Sequence, residues 1–128
     1  MNEQLLPQGV WPVMLTPFRL DRSIDWDGLA CLTDYYVQSG AAGLFACAGS
    51  SEPFDLTDEE KLALVTAVVK QVDGRVVVVG GGLAVGPLEA RADFVRRMAE
   101  TGVDAVILAA SLLADPEDDD AQWRRWLG

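Results

Sequence analysis

Four apolar runs at a near-constant interval constrain this chain most. They begin near Trp11, Gly43, Arg75 and Asp104, about thirty residues apart, the length of one strand–turn–helix unit. Residues 75–80 (RVVVVG) and 105–110 (AVILAA) are continuously apolar instead of alternating. A strand reads that way when both of its faces are buried, so the predicted sheet is parallel with helices packed over it. No low-complexity linker interrupts the pattern, and the 128 residues read as one domain.

Helix punctuation falls between the runs. Asp25 is placed to cap a helix that buries Leu29, Leu32 and Tyr36 and stops at Gly40. Thr57 and Glu60 have capping-box spacing, and Leu62, Val65, Val68, Val69 and Val72 form a stripe before Asp73-Gly74 ends the helix. Pro87 suits a first helical position, with Phe94, Val95, Met98 and Ala99 following until Gly102. Asp115-Pro116 is predicted to open a fourth helix, whose large apolar residues are Trp123, Trp126 and Leu127.

Charge and composition remove several function classes. Twenty acidic residues face ten basic ones, for a formal net charge of -10. Phosphate backbones require clustered Lys and Arg, so nucleic acid is excluded as a partner. With no histidine, the usual neutral-pH acid/base group and commonest metal ligand is missing, and neither metal nor cofactor is expected. The acidic runs at 58–60 and 115–120 sit beside predicted helix starts, where they complement the helix dipole. Cys31 and Cys47 lack metal-type spacing and are expected to be buried, reduced thiols of a cytoplasmic protein. The apolar runs are far shorter than the ~20 residues of a membrane span. The N-terminal MNEQLLPQGV has neither basic flank nor long apolar stretch, so no signal peptide is read there.

The segment 43–61, GLFACAGSSEPFDLTDEEK, puts a small-residue turn and a carboxylate at the end of a buried strand. It resembles the signature of the dihydrodipicolinate synthase and N-acetylneuraminate lyase family. That pattern reads G-[ST]-T-G-E followed by Leu-[ST]-x-x-E-[EK]. Ala48, Gly49, Ser50, Ser51 and Glu52 lie on the motif, with Leu56, Thr57 and Glu60 in register. Thr16-Pro17-Phe18, Ile24-Asp25, Gly40, Gly43, Gly80 and Gly102-Val103-Asp104-Ala105 extend the likeness from about Gly9 onward.

The resemblance implies a Schiff-base lyase or aldolase on a (β/α)8 barrel, acting on a 2-keto acid such as pyruvate. A complete barrel takes ~250 residues, so the expected fold is the N-terminal half of one, about four parallel βα units. Active sites of such barrels lie at the C-terminal ends of the strands. Thr16, residues 49–52, residues 80–82 and Ser111 are therefore the candidates. By resemblance Ser50 binds the substrate carboxylate, with Ser51 and Thr16 beside it. Exposed backbone N–H groups in a small-residue turn suit that task; the same serines also suit a plain strand-to-helix turn. Glu52 is expected to order the loop, and the glycines at 80–82 to relieve a crowded strand end. No Gly-Lys-Ser/Thr follows them, so a phosphate loop is not read.

Departures limit the chemistry expected of the chain. The family's first motif hydroxyl, part of its proton relay, falls on Gly49, and the tyrosine after strand four falls on Leu112-Leu113. A Schiff base needs a desolvated amine, and the lysines are Lys61 and Lys70, both on the predicted second helix. Both amines are expected in solvent on the outer layer, with the imine-forming lysine beyond residue 128. Two readings follow. One is the N-terminal part of a Schiff-base lyase, inactive alone; the other is a non-catalytic remnant or a half-barrel that pairs with another chain. A homo-oligomer is expected on either reading.

Overall fold

The computed structural model describes residues 6–112 and 117–127. Its elements run α1 (Trp26–Gln38), β1 (Gly43–Ala46), α2 (Asp58–Val72), β2 (Val77–Gly81), α3 (Leu88–Ala99), β3 (Ala105–Ile107) and α4 (Asp120–Leu127). The three strands form a parallel sheet in the order β1-β2-β3, as the continuously apolar runs require.

The first apolar run joins this sheet differently from expectation. It pairs with β1 in parallel, but only as an isolated bridge, Val13 to Phe45. The Met14 N–H donates to the Phe45 carbonyl, and the Phe45 N–H donates to that of Pro12. Pro12 has no N–H to give toward β1, and beyond Met14 the chain after β1 turns away at Cys47 (φ 55°) while the Met14 carbonyl accepts from the Ser51 hydroxyl, so the ladder does not lengthen into a full strand.

The helices follow their punctuation closely. Asp25 caps α1 by accepting from the Gly28 N–H. Thr57 and Glu60 form the reciprocal capping box at the start of α2. Asp73 closes that helix in the left-handed region, at φ 49°. Pro87 stands one residue earlier than expected, at the N-cap of α3. The Asp115-Pro116 helix start lies outside the described residues, and α4 begins at Asp120.

Alternation along the parallel pairs sorts the sheet into two faces. Met14, Leu44, Ala46 and Val78 are buried toward the helices, meeting Leu64, Val65, Val68 and Met98 in one core. Val13, Leu15, Phe45 and Ile107 occupy the opposite face, where Val13 is 44% exposed and Leu15 56%. Arg75 ties the base of the sheet to α1 through an ion pair with Asp34, which also accepts from Gln71. These partners hold the Asp34 carboxyl below the usual carboxylate range, the Arg75 hydrogen bond contributing most.

Candidate functional site

The short helical turn Gly49–Ser51 follows β1 directly, at the C-terminal end of the sheet. It is bracketed by two non-glycine residues at positive φ, Cys47 at 55° and Glu52 at 56°. Left-handed backbone costs a non-glycine residue of order 1 kcal/mol, so the surroundings must hold this turn in place. The bonds that do so are visible. The Ser51 hydroxyl donates to the Met14 carbonyl and accepts from the Ala48 N–H at 2.9 Å. The Thr16 hydroxyl donates to the Ser51 carbonyl at 2.7 Å.

The three hydroxyls matched to the substrate carboxylate, those of Thr16, Ser50 and Ser51, therefore meet around one turn but do different things. Thr16 and Ser51 are buried, at 6% and 1% exposure, and their hydroxyls are engaged within the protein. Ser50, at the middle of the turn, is exposed beside exposed Gly49. A side chain built at Gly49 would meet nothing within 4 Å, so the turn opens onto free space. Glu52 is exposed and makes the sharp left-handed step into the Pro53–Asp55 turn. Ser111 is also exposed, in the turn Ala110–Leu112 after β3; Leu113 lies outside the described residues.

Packing accounts for the triple glycine. A Cβ on Gly81 would fall 1.9 Å from the Cys47 carbonyl oxygen, one on Gly80 2.8 Å from the Met98 sulfur, and one on Gly82 2.6 Å from Leu108. Gly81 lets the end of β2 close on the turn after β1, while Gly80 and Gly82 make room for side chains of α3 and the β3 end.

The two lysines part company, against expectation. Lys70 is exposed on α2, but Lys61 is only 3% exposed. Its Nζ donates to Asp58 Oδ1 at 3.0 Å and to the Leu83 carbonyl at 3.3 Å, and lies 5.3 Å from the centre of the Phe94 ring. The first turn of α2 faces α3 and the loop after β2, so an amine there is covered. Composition carried no sign of this, because the covering groups come from residues 83 and 94. The cysteines diverge as well: Cys31 is exposed on α1, whereas Cys47 is fully buried and desolvation pushes its thiol up to about 11. Among the described residues no group of three or more His, Cys, Asp or Glu is placed to hold a metal, and no helix is long and apolar enough to cross a membrane.

Comparison with known proteins gives a consistent result. A 4-hydroxy-tetrahydrodipicolinate synthase from Methanococcus maripaludis is 34% identical over 112 residues, which are 88% of this chain and 38% of that protein. The chain thus spans well under half the length of the curated relatives it matches. The crystal structure of dihydrodipicolinate synthase from Bacillus clausii superposes with a TM-score of 0.78 at 26% identity, over 91% of this chain and 38% of that one. A prophage protein of Escherichia coli K12, solved in complex with pyruvate, shares the fold at a TM-score of 0.80 and 23% identity, over 96% of this chain and 40% of its own. Residues 6–118 match the model of the dihydrodipicolinate synthetase family, and the chain belongs to that family.

Proposed function

We propose that this chain supplies the carboxylate-binding part of a Schiff-base lyase acting on a 2-keto acid such as pyruvate, in the cytoplasm. The observation that carries this reading is the exposed Ser50 hydroxyl on a turn locked by buried bonds from Ser51 and Thr16. Ser50 and the N–H groups leading into the turn contact the substrate carboxylate; Ser51 and Thr16 hold the turn in the geometry that presents them. The free, exposed Cys31 thiol is in keeping with a reducing compartment.

Imine formation falls to a lysine other than the two present. Lys70 is exposed on the outer layer, and Lys61 is committed to Asp58, Leu83 and Phe94. Neither faces the turn as a free amine. Borohydride reduction of the 128-residue chain with pyruvate is therefore expected to give no covalent adduct, while pyruvate shifts the amide resonances of residues 49–51 and Ser50→Ala abolishes the shift. An adduct on Lys61 or Lys70, or unchanged shifts in Ser50→Ala, overturns the assignment.

The open sheet face favours a second reading, in which these 128 residues pair with another copy. Val13, Leu15 and Ile107 are 44%, 56% and 37% exposed on one apolar surface. At ~25 cal/mol per Å², covering a few hundred Å² of it stabilises by several kcal/mol. Each copy carries a net charge of -10, so added salt should strengthen the association. Sedimentation at micromolar concentration is expected to show a dimer that grows with salt; a monomer at every salt concentration rejects pairing.

A further inference from the structure

We propose that Lys61 is a positioning residue for the candidate site, pinning the loop after β2 against the turn that carries Ser50. Its ammonium joins three parts of the fold. It ion-pairs with Asp58 in its own helical turn at 3.0 Å, donates to the Leu83 carbonyl at 3.3 Å, and sits 5.3 Å from the Phe94 ring of α3. Leu83 is two residues beyond Gly81, whose backbone touches the Cys47 carbonyl, and Cys47 leads into the Ser50 turn. A displacement of the loop at Leu83 is thereby passed to the wall of the turn through backbone contact.

A buried lysine is a poor choice for stability alone. Desolvating an ammonium offsets most of what its ion pair returns, and apolar residues of the same volume often serve as well or better. Asp58 is half exposed, with 52% of its side chain in solvent, which lowers the worth of the pair further. What an apolar side chain cannot supply is a directed bond to one loop carbonyl. Ala84, the next residue, is 3% exposed, so the chain is packed down just beyond the pinned carbonyl before Val85 emerges at 66% exposure.

This inference rests on the carboxylate reading of the turn, and the test separates the two. The full 128-residue chain is compared as wild type, Lys61→Met and Lys61→Arg. Methionine keeps the length and packing and removes the charge; arginine keeps the charge. Amide exchange at residues 83–85 is expected to quicken about tenfold or more in Lys61→Met, as for loss of one charge-assisted hydrogen bond, and to return most of the way in Lys61→Arg. Exchange at Phe94 and Met98 stays as in wild type, and the pyruvate dissociation constant at residues 49–51 rises several-fold in the methionine variant only. Unchanged exchange at residues 83–85, or equal quickening at Phe94 and Met98, overturns the pin. A loosened loop with unchanged pyruvate affinity overturns the positioning role. No pyruvate response in the wild type sinks the carboxylate reading, and the pin then stands or falls on exchange alone.

Discussion

Gly81→Ala is expected to cost about 3 kcal/mol or more, a large share of a domain stability of order 5–15 kcal/mol. The added methyl would lie 1.9 Å from the Cys47 carbonyl oxygen and 2.9 Å from its carbonyl carbon. Both are backbone atoms, so no rotamer change relieves the clash. Cys47 cannot retreat either, being fully buried at φ 55° with the bonded turn Gly49–Ser51 directly behind it. Relief requires β1 and β2 to part where Ala46 pairs with Gly80. Gly49→Ala is the control, since a side chain there meets nothing within 4 Å. Denaturant titration of both variants checks the contrast. A Gly81→Ala midpoint equal to that of the wild type would show that the sheet end yields easily.

The thiols are expected to differ in reactivity by a hundredfold or more at neutral pH. Desolvation raises the Cys47 thiol from 9.0 to about 11, which alone lowers its thiolate fraction by about two orders of magnitude. Burial adds the requirement that the fold open before a reagent can enter. Cys31 is exposed and meets reagent directly. The same shift predicts an alkaline loss of stability. Between pH 9 and about 11 the unfolded thiol is ionised while the folded one keeps its proton, so the folded state binds more protons. The contribution is fully present below pH 9 and is lost as pH rises toward 11, for a total of about 2–3 kcal/mol. Ellman's reagent on the native protein, with melts of wild type and Cys47→Ala from pH 8 to 11, measures both effects. Equal labelling of the two thiols, or the same alkaline slope in Cys47→Ala, contradicts the buried assignment.

Much of this fold is legible in the sequence because its signals are local. Runs 75–80 and 105–110 announce parallel strands through continuous apolarity, and Asp25, Thr57 and Asp73 mark helix ends through bonds made within one turn. The motif at 48–52 located the strand-end turn for the same reason, as a contiguous string tied to one backbone path. The first run was legible as a partner of β1 but not as a mere bridge. Its length depends on the N–H that Pro12 withholds and on the turn at Cys47, where the Ser51 hydroxyl donates to the Met14 carbonyl.

Tertiary structure alone decided what each candidate side chain can do. Ser50 and Ser51 are the same residue type side by side, yet one faces solvent and the other bonds to Met14, 37 positions away. Lys61 and Lys70 share a helix, but Leu83 and Phe94 cover only the first. Cys31 and Cys47 divide the same way between the outside of α1 and the core. Helix and strand signals repeat over a few residues and survive in a single sequence. Burial of a polar atom is set by which distant backbone arrives beside it, and that depends on the packing of the whole sheet against its helices.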